Sequence, residues 1–171
     1  MTDSSAPSSW IDRTSESLER RWNRLRPTTQ DRLVGFSLVG FAGPVLAIAL
    51  WLDPDPAGFG THRQLGLGGC TVLQLTGWPC PMCGMTTCFT HMAHGQPIDA
   101  VLVQPFGVVL FASTVLLGAV GLAALAGRPY WRPLLAWVMR HEVPVAIGTL
   151  VGLSLGWVYK AVDMGLLGLG S

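Results

Sequence analysis

Polar, charge-bearing stretches of the chain are separated by three long runs that contain no ionisable residue. The first, Leu33 to Leu52, lies between Arg32 and Asp53 and covers 20 positions. At 1.5 Å per helical residue it matches a hydrocarbon core of about 30 Å. Eleven of its residues are Leu, Ile, Val or Phe, each contributing about −0.3 to −0.6 kcal/mol at the helix centre, so insertion gains roughly 3 to 7 kcal/mol. The second, Ala100 to Gly127, is charge-free for 28 residues and most apolar from Val101 to Ala126. The third, Val143 to Tyr159, has only 17, so either Lys160 snorkels to the interface or the helix continues to about Asp163. The pattern predicts an all-α, multi-pass membrane protein with spans at about 33–52, 100–126 and 143–162. Pro44, Pro105 and Pro144 read as kinks or helix starts. Gly148, Gly152 and Gly156 repeat every four residues, a small-residue face suited to close packing within the bundle.

Ahead of the first run, Ile11, Leu18, Trp22 and Leu25 recur at helical spacing while Arg13, Arg20 and Arg24 fall opposite. This predicts an amphipathic helix on a lipid surface, within a cytoplasmic tail of residues 1–32 whose first part, Met1 to Ser9, is disordered. No apolar run precedes Leu33, so no cleaved signal peptide is expected.

Composition sharpens the membrane reading. Of 171 residues 50% are hydrophobic and only 12% charged, with a mean hydropathy of +0.44, against about a quarter charged in ordinary soluble domains. The 11 basic and 10 acidic residues nearly balance, which excludes a generally basic nucleic-acid binder. Nine of the eleven positives lie before the first run or between the second and third, and only Arg63 and Lys160 lie in the alternate segments. The bias places the N-terminus inside, and the 64–98 loop and the C-terminus outside.

The candidate chemistry sits in that loop. All four cysteines fall between Cys70 and Cys88, and no Asp, Glu, Lys or Arg occurs from Gln64 to Ile98. Gly68, Gly69, Gly77, Pro79, Pro81 and Gly84 forbid a continuous helix there. The expectation is an interfacial or re-entrant Cys-rich loop with a short helix from about Met85 to Ala93. Cys80-Pro81-Met82-Cys83-Gly84 has the layout of a metal knuckle: the proline stiffens the first turn, the thiolates converge, and Gly84 is free to take positive φ. Cys70 would add a third ligand from a preceding strand or turn, and Cys88 or His91 on the short helix a fourth. Cys70, Cys80, Cys83, Cys88 and His91 are thus the candidate ligands of a structural zinc or iron. Two alternatives stay open: a thiol–disulfide redox site, which an oxidising outer compartment would favour, and purely structural cysteines. His62 and His141 read as solvated surface residues. Met82, Met85 and Met92 read as packing, and Asp99 as a helix cap.

These residues resemble the DUF2752 family, small bacterial membrane proteins of unknown function. Cys70, Thr76, Gly77, Cys80, Pro81, Cys83, Gly84, Met85, Thr86, Gly95 and Pro105 fall on its pattern. Thr87 stands where the family usually carries Arg, and Gln104 where it carries Asn. The resemblance implies a compact helical domain of a bacterial inner membrane with the cysteine motif beside the second span, and it implies no activity. It places Cys70, Cys80 and Cys83 in one pattern, whereas Cys88, His91 and His94 are particular to this chain. No acid, base or nucleophile constellation accompanies the thiols, so the sequence favours a structural over a catalytic site. The expected partners are the lipid bilayer and other subunits of a membrane complex, the chain then being an accessory subunit; nucleic acid is not among them.

Overall fold

A computed structural model describes residues 10–165, so the expectation of a disordered Met1 to Ser9 lies outside the described residues. Among the described residues the fold is entirely helical. Helix α1 (Trp10–Asn23) is followed by α2 (Pro27–Trp51), a 3-10 turn η1 (Thr61–Leu65), α3 (Thr71–Thr76), α4 (Met85–Ala93), α5 (Pro97–Val103), α6 (Pro105–Leu125), α7 (Trp131–Arg140) and α8 (Glu142–Asp163). Three of these, α2, α6 and α8, are long and apolar enough to cross a membrane.

The helix boundaries differ from the sequence reading at points with clear causes. Helix α2 starts at Pro27, six residues early, because proline at the first helical position gives up an N–H that would be unpaired there anyway. The expected span 100–126 is two helices: α5 ends at Gln104 with φ −161° and ψ 94°, and α6 begins at Pro105. The proline ring bars residue 104 from the helical region, so the chain breaks there rather than kinking. Helix α8 runs to Asp163, which settles the extent of the third run. Between the second and third spanning helices the chain carries the separate helix α7.

The exposure pattern is inverted relative to a soluble protein. Phe36, Phe41, Leu50, Leu116, Leu122, Ile147, Leu150 and Leu155 are exposed, while Ala42, Ala49, Ala100, Ala124 and Ala161 are buried. Helices meeting through small residues while large apolar side chains face outward is the pattern of a membrane bundle. The closest approach is between α2 and α6. A Cβ added at Gly35 would stand 2.9 Å from the Gly121 carbonyl oxygen, and one at Gly121 would stand 2.8 Å from the Leu38 Cβ. The glycines singled out on α8 serve a related purpose at two of three positions. Gly152 accommodates the Phe106 ring and Gly156 the Gln104 amide, while Gly148 faces open space.

The two ends of the bundle are built differently. At one end, where α2 starts and α6 stops, Asp31 is the hub: its Oδ1 accepts from Trp131 Nε1 at 3.0 Å and from Arg132 Nε and a terminal guanidinium nitrogen at 3.3 and 3.0 Å. This arginine end ties α7 to α2. The other end, where α2 stops and α6 starts, carries all four cysteines. There α4 packs against α2, α5, α6 and η1, and Gln64 exchanges two hydrogen bonds with the Asp53 backbone, at 2.7 and 3.1 Å, pinning η1 to the exit of α2. Helix α8 is fastened to the same end by Trp157 Nε1 donating to the Pro79 carbonyl at 2.7 Å and by the Tyr159 hydroxyl donating to the Leu102 carbonyl at 2.6 Å.

Candidate functional site

The Cys80–Cys83 segment is a tight turn leading into α4. The Cys83 N–H donates to the Cys80 carbonyl at 2.9 Å and the Met85 N–H to the Met82 carbonyl at 3.1 Å. Gly84 takes φ +83°, a conformation that costs a residue with a Cβ about 1–2 kcal/mol. At Gly84 a Cβ would also stand 2.9 Å from the Gly58 carbonyl oxygen, so the knuckle and the 53–60 loop touch through backbone. The Met82 N–H points at the Cys80 sulfur and the Gly84 N–H at the Cys83 sulfur. Cys70 does not come from a strand: it is the residue preceding α3, whose first N–H groups face its thiol.

Cys70, Cys80 and Cys83 line one pocket of about 180 Å³, together with His62, Arg63, Met82 and Thr87. The Cys70 and Cys80 thiols are near enough to perturb one another's acidity, and both are half-buried, whereas Cys83 is buried. Their acidities diverge. The Leu73 N–H holds the Cys70 thiol below its ordinary value, with the neighbouring Cys80 thiol adding to that. Burial pushes Cys80 up. Burial, followed by the proximity of Cys80 and Cys70, raises Cys83 to about 11. The result is a half-buried, more acidic thiol beside a less acidic one, and a third, largely neutral thiol behind them.

The remaining candidate ligands are elsewhere. Cys88 is fully buried and its S–H donates to the Gln104 carbonyl at 3.3 Å. Its sulfur would lie 2.7 Å from a Cβ on Gly107, on the α6 side of α4, and burial raises its thiol to about 12. His91 lies one turn further on and engages Gln96 through its Nδ1 at 2.7 Å. Among the described residues no group of three or more His, Cys, Asp and Glu is disposed to hold a metal ion. The expected four-ligand site completed by Cys88 or His91 is therefore not formed. The physical reason is the helix itself, which turns successive residues of α4 toward α6, toward η1 and away from the knuckle.

Sequence reasoning overlooked several residues at this end. His62, expected in solvent, lines the thiol pocket. Thr61 and Thr87 are fully buried and their hydroxyls bond at 2.8 Å, with Thr61 Oγ1 also accepting from the Asp55 N–H at 3.1 Å. Of the two alternatives for Lys160, snorkelling to the interface does not occur: with the helix continued to Asp163 it is 1% exposed and donates to Asp163 at 2.7 Å. Gln104 is 1% exposed and its Oε1 has no hydrogen-bond partner among the described residues. A buried polar side chain carries no periodic signature, so only the neighbours reveal it. Met85 packs as expected, whereas Met82 is exposed.

With this geometry in place, comparison with known proteins becomes informative. Residues 70–118 match the DUF2752 family model. The family is described as a protein of unknown function, and the match supports the resemblance read from Cys70 to Pro105. No curated protein and no solved structure matches the chain. The matched segment spans α3 to most of α6, and so contains Cys70, Cys80, Cys83 and the Gln104–Pro105 break. Together with the three apolar helices it fits an integral membrane protein of unknown role. The two positions at which the DUF2752 segment departs from the recognised pattern, Thr87 and Gln104, are both buried at the cysteine end.

Proposed function

We propose that the chain is a bacterial inner-membrane thiol–disulfide protein, with its N-terminus cytoplasmic, its cysteine end on the outer face, and Cys70 and Cys80 as the working pair. The observation that carries this reading is that the half-buried Cys70 and Cys80 thiols line one pocket and perturb one another's acidity in opposite directions. Orientation is supported by the arginines gathered before α2 and around α7, which favour the cytoplasmic side.

The exchange chemistry follows from the unequal thiols. The Cys70 thiolate attacks one sulfur of a partner disulfide, forming a mixed disulfide and expelling one partner thiolate, which takes a proton from water. The Cys80 thiol gives its proton to water and attacks the Cys70 sulfur, expelling the second partner thiolate. Two electrons pass to the partner, leaving a Cys70–Cys80 disulfide; the reverse sequence oxidises a partner dithiol. Cys83 stays protonated behind the pair at neutral pH.

A second reading, a zinc or iron held by the Cys70, Cys80 and Cys83 thiolates, is favoured by Cys83 lining the same pocket and by the N–H groups aimed at the knuckle sulfurs. It requires the thiols to draw closer than they stand. One purification separates the two: the full chain in mild detergent without chelator, with metal measured by elemental analysis and free thiols counted after anaerobic denaturation. The redox reading expects no metal, two thiols lost on treatment with oxidised glutathione and recovered with dithiothreitol, and a trapped mixed disulfide on Cys70 in Cys80→Ser. About one metal ion per chain with every thiol reduced overturns it in favour of the metal site. Four thiols that resist oxidation with no metal bound overturn both and leave the cysteines structural, as in an accessory subunit.

A further inference from the structure

Beside the thiol pocket, a separate cavity of about 310 Å³ opens between the 53–60 loop, α4, α5 and the end of α8. Its polar lining is Asp55, His91, Asp99, Lys160 and Asp163. The Lys160 ammonium is buried against Gly58, where a Cβ would stand only 3.2 Å from Nζ, and its Cε lies 3.6 Å from the corresponding position on Gly84. Both glycines have positive φ, so the backbone is shaped to let the lysine in. An ammonium has three N–H donors. Among the described residues only Asp163 accepts from it, at 2.7 Å, which leaves two donors for a ligand. Burying an ammonium with donors unspent is costly unless an anionic or strongly accepting oxygen meets them.

The rest of the lining has the opposite preference. Three aspartates face one lysine, so with His91 neutral the cavity is net negative, and a simple anion would be repelled. The ligand therefore carries a cation as well as an oxyanion. Among the described residues no Trp, Tyr or Phe ring lines the cavity, whereas a quaternary ammonium is recognised by an aromatic cage; carboxylates instead suit a primary ammonium with hydrogens to donate. The cavity lies at the end of α8 and beside the start of α6, at the level where a spanning bundle meets headgroup phosphates.

From this we infer that the cavity binds an aminoethyl phosphate group, with the phosphate on Lys160 and the primary ammonium on Asp99 and Asp163, supplied either as a phosphatidylethanolamine headgroup or as a free zwitterion. The site is independent of any redox role of the thiols.

The test uses the full chain in mild detergent. Native mass spectrometry compares retention of phosphatidylethanolamine, phosphatidylcholine and phosphatidylglycerol of equal acyl chains, and thermal shift is measured with free O-phosphoethanolamine. The expected result is retention of the ethanolamine lipid about tenfold tighter than the choline lipid, lost in Lys160→Met and in Asp99→Asn. Stabilisation by O-phosphoethanolamine without a lipid preference, abolished by the same variants, assigns the free zwitterion instead. Equal retention of all three lipids with no response to O-phosphoethanolamine overturns the inference, as does a preference that survives both variants. Asp99 is exposed at the rim, so Asp99→Asn tests the site even where Lys160→Met fails to fold.

Discussion

The two ends of the bundle solve the same problem, closing a set of apolar helices, by opposite means. The arginine end uses one partly buried carboxylate as a hub for two side chains of α7, with Arg132 still 43% exposed and stacked 5.3 Å over the Trp131 ring. The cysteine end uses backbone contacts, positive-φ glycines and buried polar side chains: Thr61, Thr87, Gln104 and Lys160. A clamp of the first kind fixes an angle between helices and tolerates change, because water can replace the exposed partner. A cap of the second kind has little slack, because each buried donor or acceptor depends on a specific neighbour. Among the described residues, the second end is where thiols, an ammonium and carboxylates stand together.

The sharpest way to break this comparison is a matched pair of glycine substitutions. Gly84→Ala meets both a left-handed φ and the Gly58 carbonyl oxygen 2.9 Å away, and is expected to cost about 2–4 kcal/mol. Gly127→Ala at the arginine end has φ +79° with nothing within 4 Å and should cost only about 1–2 kcal/mol. Thermal unfolding in detergent reads both, and equal losses would remove the distinction. Next in size, Thr87→Val strips the partner from the buried Thr61 hydroxyl and is expected to lower stability by about 1–2 kcal/mol, with Thr87→Ser restoring most of it. At the opposite end Arg132→Ala should cost about 1 kcal/mol or less, and less again at high salt. If Arg132→Ala proves the more damaging of the two, the arginine end is the stiffer closure.

The smallest effect expected near neutrality is in pH dependence. Burial holds Cys83 at about 11 in the fold, above its ordinary 9.0. Between those values the unfolded chain has already lost the proton that the folded chain retains, so stability is complete below pH 9 and falls as pH rises toward 11. Equilibrium unfolding at pH 8, 9 and 10 should show the decline, and Cys83→Ala should make it shallower, the buried Cys88 and Cys80 thiols, also held above 9.0, supplying the rest. A decline unchanged in Cys83→Ala would mean that Cys83 ionises in the fold as easily as in the unfolded chain.

Much of the fold was legible because it rests on local pattern. Charge-free runs of sufficient length announced α2, α6 and α8, and the glycine following Cys83 announced the turn into α4. The break at Gln104–Pro105 was legible in principle, since proline restricts its predecessor, yet the uninterrupted apolarity of residues 100–127 read as one span. The candidate site was half legible. Cys70, Cys80 and Cys83 are neighbours by pattern and by structure, whereas Cys88 and His91, close in sequence, are turned away by the helix that carries them.

By itself, the sequence determined the bilayer as solvent, the number of spans, the helix ends marked by proline and glycine, and the knuckle around Cys80 and Cys83, because each depends on residues within a turn or two of one another. Tertiary structure alone decided which face of α4 meets which neighbour, that Asp31 finds α7 a hundred residues away, and that Lys160 folds inward against Gly58 and Gly84. Those outcomes depend on side chains brought together from distant positions, where burial and the need to satisfy each polar group select the partner, and no local period records that choice.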